Sequence, residues 1–244
     1  GDPESMQLWA SCLESGDGSG LPASFTAALP WYEMAAAQNN VGALNNLGKC
    51  AWEGTEIWTP SANKAVSYWA RAAALGYTKA QTNLGGLYLS GSQCDGGRGG
   101  CVPCNTFEGL RLLKAAAEKD DVEAFFKIGC HGRAVGNAGL AGYLARAAEL
   151  GHPHAISFLA ELHRVGELGF ALDLALAARF TRWAAHLGQA AAMCNLGCLH
   201  CTGEGGMKLD KDRAMQLFRQ AAEQNDPNGQ MNLALCYARG VGVQ

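Results

Sequence analysis

The chain is poor in charge of either sign. Nineteen Lys and Arg stand against 22 Asp and Glu in 244 residues, a formal net charge of −3. That balance supplies no basic field for a phosphate backbone and no acidic tail, so nucleic acid is not an expected partner. Long apolar runs are also missing. No stretch of about 18 apolar residues occurs, and the start lacks the charged-then-apolar pattern of a signal peptide, so no membrane insertion is expected. Catalytic signatures are equally scarce. There is no Gly-x-Ser-x-Gly, no His-Glu-x2-His and no P-loop, and His131, His152, His154, His163, His186 and His200 are scattered along the chain. The expectation is a protein that is not an enzyme and carries no cofactor.

What the chain does contain is 48% hydrophobic residues, enough to bury a large core as one extended domain or two compact ones. Gly1 to Ser5 ahead of Met6 read as an expression scar. Beyond them, self-similarity dominates. Ala-Ala pairs recur at Ala35-Ala36, Ala72-Ala73, Ala116-Ala117, Ala147-Ala148, Ala184-Ala185 and Ala221-Ala222. Four residues after the first Ala of each pair come Asn39, Gly76, Asp120, Gly151, Gly188 and Asn225, types that tolerate a left-handed backbone and end helices. A small residue follows at Ala43, Ala80, Ala124, Ala155, Ala192 and Gly229. An apolar anchor stands four further on, at Leu47, Leu84, Ile128, Leu159, Leu196 and Leu233. Next to the anchor sits Gly48, Gly85, Gly129, Ala160, Gly197 or Ala234, where a neighbouring helix can approach closely.

Trp9, Ala10, Leu13 and Gly16 extend the template backwards, giving seven copies of this first helix with a period of about 37 residues. The second helix of each pair carries the apolar doublets Trp31-Tyr32, Tyr68-Trp69, Leu112-Leu113, Tyr143-Leu144 and Leu217-Phe218. Its expected starts are Ser24, Thr59 with Pro60, Asn105 or Thr106, Asp173 and Asp210. A Cys- and Gly-rich insertion over residues 92–105 lengthens one repeat, and a short turn after Gly136 contracts the next.

Ala192-x3-Leu196-Gly197-x2-His200-x2-Gly203, followed by Asp210-x3-Ala214-x3-Phe218-x2-Ala221-Ala222, resembles the Sel1-like repeat. Ala80-x3-Leu84-Gly85-x2-Tyr88-x2-Gly91 resembles it more fully. The pattern departs from the family at Ile128 to Val135, where the closing Gly is displaced to Gly136, and at Leu159-Ala160. The resemblance implies an all-α, right-handed α/α superhelical solenoid of about six helix pairs, related to tetratricopeptide arrays. It implies one solenoid over residues 6–244, a fragment of a longer protein, and an adaptor that binds a peptide or helix of a protein partner in a groove lined by the first helices.

Positions just before each anchor should face that groove: Asn46, Asn83, Lys127, Phe158, Asn195 and Asn232. Side-chain amides offer both donor and acceptor to an extended peptide, similar to the peptide-clamping Asn of tetratricopeptide grooves. The alternative is that each Asn bonds a neighbouring helix and stabilises the stack. Lys49, Lys127, Arg133 and Arg164 add charge that either recognises anions or is simply solvated. The expected partner site is thus Asn46, Lys49, Asn83, Lys127, Asn195 and Asn232.

Ten cysteines demand a separate account. Cys12, Cys50, Cys130, Cys198 and Cys236 follow the anchors by two or three residues and read as small buried residues. Cys194, Cys198 and Cys201 lie at i, i+4 and i+7 and also read as core packing. Disulfide-rich bacterial relatives carry Cys on both helices of a pair, whereas the second helices here have none. With no Asn-x-Ser/Thr sequon, a cytoplasmic setting is expected in preference to the ER lumen. Cys94, Cys101 and Cys104 form a partial zinc arrangement without a fourth ligand nearby, so a free-thiol loop, a disulfide and a metal stay open, and no metal site is expected. A metal- or redox-responsive protein using its clustered cysteines, or a purely structural spacer, are the competing functions.

Overall fold

The computed structural model describes residues 1–16, 23–91 and 100–240. Their regular elements are α-helices and one short 3-10 turn at Glu204–Gly206, the all-α repeat architecture that the sequence implies. Two compact units divide them, Gly1–Lys127 and Ile128–Gln244.

The first unit holds α1 (Pro3–Ser15), α2 (Phe25–Ala37), α3 (Val41–Glu53), α4 (Ala62–Ala74), α5 (Thr78–Ser90), α6 (Thr106–Ala117) and the start of α7 (Val122–Ala134). Here α1 packs on α2, α3 on α4 and α5 on α6, while α2 on α3 and α4 on α5 join the pairs. The second unit holds the rest of α7, then α8 (Ala138–Ala141), α9 (Tyr143–Glu149), α10 (Pro153–Val165), α11 (Leu174–His186), α12 (Ala190–Thr202), α13 (Lys211–Glu223) and α14 (Pro227–Ala238). Its pairs are α10 with α11 and α12 with α13, and α14 packs beside both α13 and α12. Where the sequence contracts after Gly136, the second helix is split into α8 and α9 at Gly142.

One turn is used six times. Asn39, Gly76, Asp120, Gly151, Gly188 and Asn225 all have φ between 56° and 86°, the left-handed region. The following amide reaches back to the first Ala of each pair: Asn40 N to Ala35 O at 3.1 Å, Tyr77 N to Ala72 O at 3.0 Å, His152 N to Ala147 O at 2.9 Å and Asp226 N to Ala221 O at 3.1 Å. This Schellman closure satisfies carbonyls that the helix end leaves without partners. Asn40, Asp121, His152 and Asp226 then cap the next helix through their side chains.

A second tie closes each pair on its other side. The amide of the second helix's cap donates to a carbonyl four residues after the anchor: Ser24 N to Leu13 O (2.8 Å), Asn105 N to Tyr88 O (2.8 Å), Asp173 N to His163 O (2.8 Å) and Asp210 N to His200 O (2.9 Å). Ser24, Asn105, Asp173 and Asp210 cap as expected. The cap of α4 is Ser61, not Thr59; Pro60 is taken up in the turn, packed over Gly54.

Close packing falls where the small residues predict it. A Cβ on Gly197 would stand 2.6 Å from Phe218 Cε1, on Gly85 2.8 Å from Leu113 Cγ, and on Gly129 2.6 Å from Leu144 Cγ. Leu47, Leu84, Ile128, Leu159 and Leu196 are buried. Trp9 departs from its register at 44% exposure, and Leu233 is only half-buried. The reason is the same for both: among the described residues no further helix covers the outer face of α1 or of α14. In each doublet the second member, from Tyr32 to Phe218, is buried, and in Leu112-Leu113 and Leu217-Phe218 the first member is buried as well.

Candidate functional site

The residues just before the anchors divide by what they touch. In the first unit, Asn46 Nδ2 donates to Tyr32 Oη at 3.2 Å, and Tyr32 Oη donates to Glu14 Oε2 at 2.6 Å. Asn83 Nδ2 donates to Asn45 Oδ1 on the preceding first helix at 3.2 Å. Lys127 pairs with Glu123 at 3.1 Å and lays its stem along Gly86. Lys49 is exposed. Asn46 and Asn83 thus each hold a neighbouring helix with one amide hydrogen bond while their other polar atoms stay available.

In the second unit, Asn232 Nδ2 donates to Cys194 Sγ at 3.1 Å and contacts Cys198 Sγ at 3.7 Å. Asn195 differs from the other three. It is exposed and lines a cavity of about 330 Å³ walled by α10, α11 and α12. Ser157, Glu161 and Arg164 reach this space from α10, Thr181 from α11, and Cys198 from α12. Glu161 and Arg164 form a two-pronged ion pair at 2.6 and 2.9 Å. The Arg164 hydrogen bonds hold the Glu161 carboxyl below its usual range, and the same contact raises Arg164. Both side chains are largely solvated, at 56% and 41% exposure, so the pair contributes little stability. Fixed, solvated and facing a cavity, it is better suited to a ligand than to the fold.

Beside it, the Arg133 guanidinium lies 4.9 Å over the Phe158 ring, a cation–π contact that presents a flat cationic surface. Phe158 and Arg133 line an adjoining depression of about 570 Å³ with Cys130 and Glu167. The second unit therefore places Asn195 and Arg164 on one cavity and Phe158 and Arg133 on another depression. Glu161, Ser157 and Thr181 escaped sequence reasoning; only the Glu161-x2-Arg164 spacing, suited to a one-turn ion pair, signals part of the group. Ser157 donates to Gln189 Oε1 and not to a base.

The cysteines are less buried than expected. Cys50 and Cys194 are buried, Cys12, Cys130 and Cys236 are intermediate, and Cys198 and Cys201 are exposed. The stripe at Cys194, Cys198 and Cys201 is therefore not a core stripe, because α12 turns its later residues outward. Cys104 is a free, exposed thiol, Cys101 is disulfide-bonded, and Cys94 lies outside the described residues. A disulfide at Cys101 removes it as a zinc ligand. Among the described residues no three His, Cys, Asp or Glu side chains are grouped to hold a metal ion, and no helix is long and apolar enough to cross a membrane.

The Sel1 repeat family profile matches residues 3–40, 41–77, 78–121, 141–152, 190–226 and 227–244. The unmatched stretches contain the departures at Ile128 to Val135 and Leu159-Ala160. No curated protein matches the sequence. Among solved structures, the chain is similar to a protective antigen of uropathogenic Escherichia coli displaying an SLR fold. That match has TM-score 0.81 and 23% identity, covering 99% of this chain and 50% of that one. It is similar to a Sel1 repeat protein from Oxalobacter formigenes with TM-score 0.80 and 26% identity, over 96% of this chain and 66% of that one. An immunity protein from Pseudomonas aeruginosa matches with TM-score 0.52 and 15% identity, over 96% of this chain and 82% of that one, which shows fold alone. The chain thus spans half the length of the first relative and about two thirds of the second. Six profile matches over most of the sequence, with the same turn and tie repeated in the structure, establish that the chain belongs to the Sel1 repeat family.

Proposed function

We propose that the chain is a protein-interaction scaffold whose first helices bind a peptide or helical segment of a partner protein. Sel1 repeat proteins are generally such scaffolds, and typically not enzymes. The observation that carries the reading is the cavity of the second unit, where Asn195, a residue singled out by its place before an anchor, meets the Glu161–Arg164 pair. A free amide with donor and acceptor, beside a charged fork, suits backbone recognition with one ionic contact. Asn232 flanks this site in the second unit. Asn46, Lys49, Asn83 and Lys127 supply the corresponding polar positions of the first. The reading includes no catalytic step, cofactor or nucleic acid.

A cytoplasmic setting belongs to the same proposal. Eight cysteines among the described residues are free thiols, and the disulfide-bonded Cys101 lies in the insertion, not between helices.

The test uses a peptide library displayed on phage. Peptides selected on the parent chain should lose roughly 30-fold in affinity on Asn195→Ala, the loss of two hydrogen bonds of about 1 kcal/mol each. Arg164→Ala should lower the affinity of acidic members further. Selected peptides that bind both folded variants as tightly as the parent would overturn the site.

A further inference from the structure

The scaffold reading leaves the sulfurs of the second unit without a role. Cys194, Cys198 and Cys201 run along α12, and Cys236 belongs to α14, which packs beside it; all four are free thiols. One nitrogen joins two of them, since Asn232 Nδ2 contacts both Cys194 Sγ (3.1 Å) and Cys198 Sγ (3.7 Å).

The first unit makes the same tie with oxygen. Asn83 Nδ2 donates to Asn45 Oδ1 at 3.2 Å. Asn45 and Cys194 each stand two residues before an anchor, and Asn83 and Asn232 each stand one residue before the next anchor. An amide oxygen is a good acceptor and a neutral thiol a weak one, so sulfur here loosens the joint between adjacent first helices. Packing accounts for Cys194, 3% exposed among Ala214, Phe218 and Ala221. It does not account for Cys198, which is exposed one turn further on.

We propose that Cys194 and Cys198 form a two-coordinate site for a soft, thiophilic d10 metal ion of the Cu(I) class, with the Asn232 amide donating to the sulfurs. Thiolates select such ions. Residues four apart on a helix carry Cβ atoms about 5–6 Å apart, within reach of a linear sulfur–metal–sulfur bridge. A digonal ion needs no third ligand, in keeping with the lack of a three-residue ligand group among the described residues. The buried Cys194 gives the site a dry side, and Cys198 opens on the cavity, which supplies a route in. On binding, two S–H bonds break, two S–metal bonds form and two protons leave to solvent. The monoanionic complex is met by the Asn232 N–H.

The test is anaerobic transfer of copper from the coloured bicinchoninate–Cu(I) complex to the chain with its Cys101 disulfide retained. One equivalent is expected to move, with affinity falling about hundredfold for each unit by which the pH is lowered, as two protons compete. Cys198→Ser should abolish transfer with the helical circular dichroism unchanged, while Cys104→Ser, an exposed thiol elsewhere, should retain it. No transfer to the parent chain overturns the site, as does transfer that survives in folded Cys198→Ser. Equal loss in Cys201→Ser or Cys236→Ser overturns the two-coordinate assignment. Since Cys198 is exposed, the outcome does not depend on whether Cys194→Ser folds.

Discussion

Replacing Gly197 by Ala tests whether helix approach, and not helix propensity, sets the position of α12. A Cβ there would stand 2.6 Å from Phe218 Cε1, 2.9 Å from Cδ1 and 3.0 Å from Cζ, against the roughly 3.5–4.0 Å at which carbon atoms rest. The ring must retreat by about an ångström, yet Phe218 is 3% exposed and enclosed by Cys194, Ala214 and Ala221. Overpacking of this kind costs about 1–3 kcal/mol, and the helix gains about 1 kcal/mol from losing a glycine. The net expectation is a loss of about 1 kcal/mol. Because that sum is small, a double-mutant cycle is the better instrument. Phe218→Leu alone leaves a cavity and should cost about 1 kcal/mol or more, but it removes the atoms that the new methyl strikes. The double variant should therefore lose less than the two single losses added together, by about 1 kcal/mol. Urea unfolding of the four proteins measures this. Additivity within about 0.5 kcal/mol would falsify the claim that the Gly197–Phe218 contact fixes how α12 carries Asn195 and Cys198.

Other expectations separate fold from site. Asn83→Ala should destabilise the chain by about 1 kcal/mol, because Asn45 Oδ1 loses its donor; Asn195→Ala, exposed and facing the cavity, should cost under about 0.5 kcal/mol and act only on binding. Asn225→Ala, at φ 61°, should cost about 1 kcal/mol in thermal unfolding by straining the left-handed turn, while Asn225→Gly should not. Burial and then the charge of Glu14 push the Cys50 thiol from 9.0 up to about 12. A raised folded-state value means that stability is complete below pH 9 and falls as pH rises towards 12. Cys50→Ala should flatten that alkaline loss in denaturant titrations at successive pH, and an unchanged slope refutes the assignment.

The turns were legible because a single residue type decides them: Asn, Asp or Gly four residues after an Ala is a local signal, and its backbone outcome is local too. The anchors were legible for a related reason, except at Trp9, where burial depends on a neighbour that the periodicity assumes. Thr59 and Ser61 are both good caps by type, and only the path of Pro60 over Gly54 distinguishes them. The Asn positions could be placed on a face, but their partners could not be named. Asn232 and Cys194 are 38 residues apart, and so are Asn83 and Asn45, so that only the stacking of adjacent first helices reveals the bond. Cys50 and Cys194 are buried as the register implies, but register only assigns a face, and the exposure of Cys198 and Cys201 depends on how much of α12 its neighbours cover.

The tie from each second-helix cap to the carbonyl four residues past the anchor spans ten residues from His200 to Asp210 and seventeen from Tyr88 to Asn105, at 2.9 and 2.8 Å. Closing a longer loop costs only about 0.6 kcal/mol for each doubling of its length. This junction therefore behaves as a cloning site built into every repeat. Foreign sequence, such as an epitope, a tag or a second binding loop, should be accepted there with the helices on either side unchanged.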